Sequence, residues 1–357
     1  MSSQGRGSGF AIEVRERYRN VVQERWPVAI EPRPDELLSS WLHRLAFANG
    51  VAPRSFAGVL GRGEGMWSAR LDLQVPHDVT TLLKQQAAVA AEALSAMTMA
   101  GQVLTPLLLP LRENAGRNRS TWMQYCPLCF VADEAPYFRR RWRLATRISC
   151  LVHGCGLRDR CPACRSGIAS FGQSELIPQH FCARCGFDLR RAAKVSVKAA
   201  ARLLERCIDD ICKVEMAKGS TMIGSLVSRL LRAPVVAGVG SGKTLTNLSA
   251  AARIRCFEQL AAKPYDRLVA GNDTAAAHWR HLILDAGGHD GLVARLADFM
   301  EKDRRSATPE RFRLPDADLP ALLEAYLRVM ALRPDRVFAG ERDLLPLADL
   351  EPLPLQS

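Results

Sequence analysis

The sequence predicts a mainly α-helical chain in three parts: an N-terminal helical region with a helix-turn-helix-like pair, a central cysteine-rich module, and a C-terminal helical region. Three observations predict it. Outside the centre, apolar residues recur at helical three-and-four spacing rather than alternating. Eight of the 11 cysteines fall within the stretch 111–200. Hydrophobic residues make up 48% of 357, ample for real cores in two or three small domains. That content excludes wholesale disorder. A membrane span is excluded by the lack of any run of about 18 uncharged apolar residues. The polar, Gly-rich opening residues predict no leader peptide. A chain kept in the reducing cytoplasm uses paired cysteines for metal before disulfides.

Residues 1–25 read as a tail with a short helix over 12–23. A lead-in rich in proline follows, and Pro34-Asp35 supply a helix start, since proline suits the first turn and an acid suits the dipole there. Leu37, Leu38, Trp41, Leu42 and Leu45 form one stripe to about Ala48, where Asn49-Gly50 can cap. Pro53 opens a shorter helix with Phe56, Val59 and Leu60 inward, ended by Gly61. Helix, Gly-containing turn, helix is what a helix-turn-helix requires, although ordinary helical hairpins share it. After a loop to residue 76, Asp78 can cap a helix running to about Met99. Beyond Ala192, Leu203, Leu204, Cys207, Ile208 and Ile211 give a helical stripe. Further helices are predicted near 220–232, 248–262, 274–285, 290–303 and 318–331. The domains are then 1–25 tail, 26–118 helical, 119–191 cysteine module, 192–343 helical and 344–357 Pro-rich tail.

Two groups of ligand pairs stand in register. Cys126-x2-Cys129 is followed after 20 residues by Cys150-x2-His153, and Cys161-x2-Cys164 after 17 by Cys182-x2-Cys185. Two pairs from two tight turns are what tetrahedral zinc requires, and two intervening residues let both donors face one ion. The centre therefore reads as a double zinc-finger module holding two structural Zn2+. Each site has four protein donors and so no open position for a reacting water. No general-base glutamate stands where a zinc deaminase needs one. Cys155 and His180 are spare candidate ligands, with Cys155 read as a packed thiol; Cys207, Cys212 and Cys256 are read as core residues.

Ala237-Gly-Val-Gly-Ser-Gly-Lys243-Thr244 matches a relaxed phosphate-binding loop, with Pro234–Ala237 before it as a strand would be and Leu282–Asp285 as a candidate metal-binding strand. A nucleotide-binding core alternates strands and helices, and this segment has helical neighbours. A Gly-rich linker ending at a helix start is the favoured reading.

The chain carries a formal charge of +12, and the segment 111–200 holds 16 Lys+Arg against 6 Asp+Glu. Filling both sites replaces seven thiol protons with two divalent ions, leaving the chain near +9. The excess predicts a polyanionic partner, DNA. The candidate contacts are Arg139, Arg140, Arg141, Arg143 and Arg147, between the ligand pairs of the first site, with Arg54 on the second helix. The competing reading of such a run is a solvated charged face.

Trp26-Pro…Pro34-Asp-Glu-Leu-Leu-Ser-Ser-Trp41-Leu-His-Arg-Leu-Ala46…Asn49-Gly50 resembles the opening of the TniQ/TnsD family. Tyr125-Cys-Pro-Leu-Cys129, Trp142-Arg, and Cys150-Leu-Val-His153-Gly…Cys161-Pro-Ala-Cys164 are similar to that family's paired zinc signature. The resemblance covers 26–167, extended by Cys182 and Cys185, and departs at Cys155, where a non-ligand residue is expected. It implies a non-enzymatic accessory protein that selects the transposition target in a bacterial cytoplasm, associated with the nucleoid. Its partners would be target DNA or an RNA-guided effector on it, an AAA+ ATPase regulator and the transposase complex. The apolar faces of the C-terminal helices would allow a homodimer but equally suit an intrachain core. A stand-alone helix-turn-helix/zinc transcription regulator is the alternative, and a phosphate-loop NTPase using Lys243 a lesser one.

Overall fold

The helix α1, Leu38–Ala48, is buried almost all round, the polar Ser39, Ser40 and His43 included, and its residues Leu38, Trp41, Leu42, Leu45 and Ala46 are fully buried. A helix with that pattern belongs inside, and here it forms the centre of the N-terminal core. In this computed structural model the described residues are 25–59, 69–99, 104–110, 123–168, 175–217, 223–239, 242–263, 268 and 274–305. All lie within one compact unit, Met1–Ala317; the second unit, Asp318–Ser357, lies outside them. So do the expected helices 12–23 and 318–331, Leu60, Gly61 and the tail 344–357. The described secondary structure is helical, with isolated β-bridges and no extended strand.

Around α1 stand α2 (Pro53–Val59), α3 (His77–Ala87) and α4 (Ala91–Ala96). Phe56, Val79, Leu83, Leu94 and Met97 meet α1 in one core. Gly50 turns the chain between α1 and α2 at φ +69°, while the Asn49 amide donates to Leu45 O and Val28 O and so ties the lead-in to the helix end. The Trp41 indole donates to Ile30 O at 3.1 Å and closes the same lead-in.

Two expected boundaries are corrected. α1 starts at Leu38, not at Pro34-Asp35, because residues 35–37 pair with the segment 138–140: Leu37 N–H donates to Phe138 O at 2.9 Å and Arg140 N–H to Asp35 O at 2.7 Å. The single helix expected over 78–99 is two, broken at Ala88 in the left-handed region (φ +56°). An unbroken helix of that length would run about 30 Å and carry Met97 past the core.

The central segment contributes α5, Pro127–Ala132, and short 3-10 turns at Arg140–Arg143 and Leu189–Arg191. Its core holds Tyr125, Phe130, Phe138, Trp142, Leu157, Ile168 and Leu189 around five of the cysteines and Cys155. Leu37 belongs to this core and Leu38 to the N-terminal one, so adjacent residues fasten the two together. Beyond it come α6 (Ala199–Ala217), α7 (Ile223–Leu231), α8 (Ala233–Ala237), α9 (Ala250–Ala261), α10 (Thr274–Asp285) and α11 (His289–Arg305). α6 is the hub of this group and packs against α7, α9 and α10.

The phosphate-loop reading is corrected here. Pro234–Ala237 lies in α8, not in a strand, and Gly238 caps that helix at φ +74°. Leu282–Asp285 is the end of α10. Thr244 leads into a 3-10 turn, and α9 starts later, capped by the Ser249 hydroxyl. A phosphate loop needs a strand before it and a helix opening at its Lys-Thr, and this segment supplies neither.

Candidate metal centres

Three of the four ligand pairs sit on turns of one design. The N–H of the first ligand donates to the carbonyl five residues on: Cys150 to Cys155, Cys161 to Ser166, Cys182 to Phe187. The N–H four residues on returns to the first ligand's carbonyl: Gly154 to Cys150, Arg165 to Cys161, Gly186 to Cys182. That fourth residue lies at φ +63°, +64° and +68° respectively. A bridge closes each turn, Ser149 with Gly156, Arg160 with Gly167, and Phe181 with Asp188. The remaining pair is built on a helix start: Cys126 is the N-cap of α5, and Cys129 N–H donates to its sulfur at 3.4 Å.

These turns bring the donors of Cys126, Cys129, Cys150 and His153 within 4.8 Å of one another, and likewise those of Cys161, Cys164, Cys182 and Cys185. In the first group Cys129 Sγ lies 3.4 Å from Cys150 Sγ and 3.3 Å from His153 Nδ1. Cys126 Sγ and Cys150 Sγ are each 3.6 Å from that nitrogen. In the second, Cys161 to Cys185 is 3.7 Å and Cys164 to Cys182 is 3.6 Å. With metal–sulfur bonds of about 2.3 Å, the edge of a tetrahedron is about 3.8 Å. Both groups therefore fit a tetrahedral ion in donor type and in spacing, and each can hold a metal.

Electrostatics point the same way. Neighbouring thiols donate to Cys126 and hold it far below the usual thiol range, while Cys129 is driven up as the protonated partner. In the second group burial opposes ionisation of Cys164, but hydrogen bonds from the Ser166 hydroxyl and amide and from the Cys185 and Cys182 thiols together outweigh it and bring the thiol to about 6; burial pushes Cys161 up to about 12. Several thiolates cannot share so small a space without a cation between them.

Neither spare candidate belongs to the two four-donor groups. Cys155 Sγ touches Cys126 Sγ at 3.5 Å. His180 stacks on Phe181, centroids 4.5 Å apart, and burial next to Arg190 lowers its pKa. Cys207, Cys212 and Cys256 are buried among the C-terminal helices.

The expected arginine face is placed differently by the structure. Arg143 is 1% exposed, beside Asp72 at 3.8 Å, with burial lowering its pKa to about 10. Arg147 is buried between Glu205 (3.3 Å) and Asp209 (2.9 Å). Neither can reach a phosphate. Arg139 pairs with Asp133 and lies over the Tyr137 and Trp142 rings. Arg140 and Arg141 both meet Asp35, at 3.6 and 2.5 Å. The run thus serves as internal fastening: it ties the module to the turn before α1 and to α6. Arg54 lies on α2, and its side chain is outside the described residues. Asp133 stands six residues from Arg139, but the other acids responsible, Asp35, Asp72, Glu205 and Asp209, stand far from their arginines in sequence, so no local signal could reveal those pairings.

No helix among the described residues is long and apolar enough to cross a membrane. No curated protein matches the chain. Residues 27–157 match the TniQ family model, from the lead-in before α1 through the whole first metal cluster, so this part of the chain is similar to the TniQ family, a likeness that points toward transposition.

Proposed function

We propose that this chain is a zinc-stabilised, non-enzymatic adaptor for transposition target-site selection. It links target DNA, or an RNA-guided complex on it, to an AAA+ ATPase regulator and the transposase. The observation that carries the reading is the TniQ match over 27–157, which contains a complete four-donor cluster. Zinc is the metal we assign, because three thiolates with one imidazole, and four thiolates, are the donor sets of structural zinc. Cys126, Cys129, Cys150 and His153 would hold one ion, and Cys161, Cys164, Cys182 and Cys185 the other. The bound ions supply charge neutralisation and cross-linking of the turns. The functional parts we assign are 26–118, 119–191 and 192–343.

The test is a pull-down of the ATPase regulator by the purified chain, with and without target duplex. Recruitment that depends on the chain supports the adaptor. A chain that binds its own promoter and recruits no ATPase is instead a transcription regulator, a reading favoured only by the α1–turn–α2 pair.

A further inference from the structure

Arg143 and Arg147 are buried, and Arg139, Arg140 and Arg141 are half-buried in ion pairs; further positive groups stand at the second metal turn. A groove of about 160 Å³ opens between the second metal turn and the first turn of α9. Leu157, Val195 and Ile254 line it together with Arg158, Arg160 and Arg165. Asp159, the acid in this groove, is buried and accepts from Ala250 N–H at 3.0 Å. Ser249 takes Ala252 N–H, so the start of α9 is already capped, and the attraction for an anion comes from the guanidiniums. Two of these are held in place by backbone: Arg158 Nε donates to Ala193 O at 2.8 Å, and Arg160 to Arg165 O at 3.2 Å. A guanidinium carries five donors, so the bond to Ala193 O fixes Arg158 without consuming its capacity for phosphate.

Arg165 supplies an independent observation. It occupies the left-handed position that glycine fills in the two sister turns, Gly154 and Gly186. Its side chain is exposed, so no packing accounts for a residue with a Cβ there. An arginine in this backbone position holds its guanidinium at the groove at a local conformational cost, which is the ground for assigning the side chain a role there.

We propose that this groove seats a phosphodiester of duplex DNA, with Arg158, Arg160 and Arg165 as its phosphate contacts. The proposal rests on the DNA reading above and moves the contact from the run 139–147 to the second metal turn.

Anisotropy of a labelled duplex, titrated with salt against the metal-loaded chain, tests it. Each lost phosphate contact lowers the log–log salt slope by about 0.9, so the triple variant Arg158→Ala/Arg160→Ala/Arg165→Ala should lose about 2.7 and bind about 500-fold more weakly near 0.1 M salt. Its metal content should match the wild type. Arg165→Gly gives a readout that a structural role would not: the melting temperature rises by about 2 °C while affinity falls roughly tenfold. A steep wild-type slope that the triple variant leaves unchanged overturns the groove and spares the DNA reading. The same holds if the slope follows Arg140→Ala/Arg141→Ala instead, or if Arg165→Gly binds as before. Triple-variant loss of polyglutamate binding with DNA binding intact overturns it in favour of an acidic protein. A wild-type chain without salt-dependent DNA binding removes the DNA reading itself.

Discussion

Cys155 and Ser166 occupy the same place in two sister turns, five residues after the first ligand, and both reach toward sulfur. Cys155 Sγ lies 3.5 Å from Cys126 Sγ, and Ser166 Oγ lies 2.9 Å from Cys164 Sγ and 3.5 Å from Cys182 Sγ. The equivalence assigns Cys155 the serine's task, donating a hydrogen bond to a metal-bound thiolate, and leaves His153 as the fourth ligand. Cys155→Ser should accordingly retain about two metal ions per chain, whereas Cys126→Ser should fall to about one. Atomic emission on the purified variants reads both, and loss of an ion from Cys155→Ser would show that the thiol is a ligand. At this scale the two four-donor clusters were legible from spacing, because two intervening residues bring both donors of a pair to one side, whether on a turn or at a helix start. The role of Cys155 was not, since it depends on which sulfur stands across the fold. Arg165 was equally silent: the sequence marks a glycine in this turn at Gly186 but cannot show that an arginine has taken the same backbone position.

Between elements, the strongest joint is a charged one. Glu205 on α6 accepts from Arg147, from the N–H groups of Ile148 and Ser149 and from the Ser149 hydroxyl, just before the first ligand of the Cys150 turn. Burial pushes its carboxyl up, and Arg147 opposes that. Asp209, one helical turn on, is also pushed up by burial, but Arg147 and Lys213 outweigh it and hold it at about 2. Glu205→Ala would leave Arg147 buried beside Asp209 alone, with two backbone donors unmet. The expected cost is about 3–5 kcal/mol, measured by urea unfolding of the metal-loaded protein. Glu205→Gln, which keeps an acceptor for the amides, should cost less. Equal losses for the two variants would mean that the charge, not the hydrogen bonding, holds the joint. Helix existence was legible from apolar spacing in the described segments, including α6, α9 and α10. What failed was where the chain leaves helical geometry. Residues 35–37 pair with a partner a hundred positions away, and the turn at Ala88 has no glycine or proline to announce it.

For the molecule as a whole, the central segment is the least able to stand alone and the most connected. Among its described residues it has one α-helix, of six residues, and its order comes from turns closed on metal ligands. Yet it supplies Arg143 to Asp72 near the N-terminal core, and Gln124 to Arg253, which is buried in α9. Cys126, Cys129, Cys150, Cys161 and Cys182 are themselves core residues, so losing the ions places uncompensated thiolates, or crowded thiols, in the middle of the fold. Metal binding here is folding free energy, and it should reach beyond the module. Stripping the chain with a strong chelator, or substituting Cys161→Ser or Cys182→Ser, should lower the helical circular dichroism of the flanking regions along with the module. Thermal melting should then fall in one transition that tracks metal release, read in parallel with a chromogenic chelator. Helices that keep their signal and melting point after both ions leave would instead mean that the buried joints at Asp72, Glu205 and Arg253 hold without the metal, and that the module is a passenger on two self-sufficient helical cores.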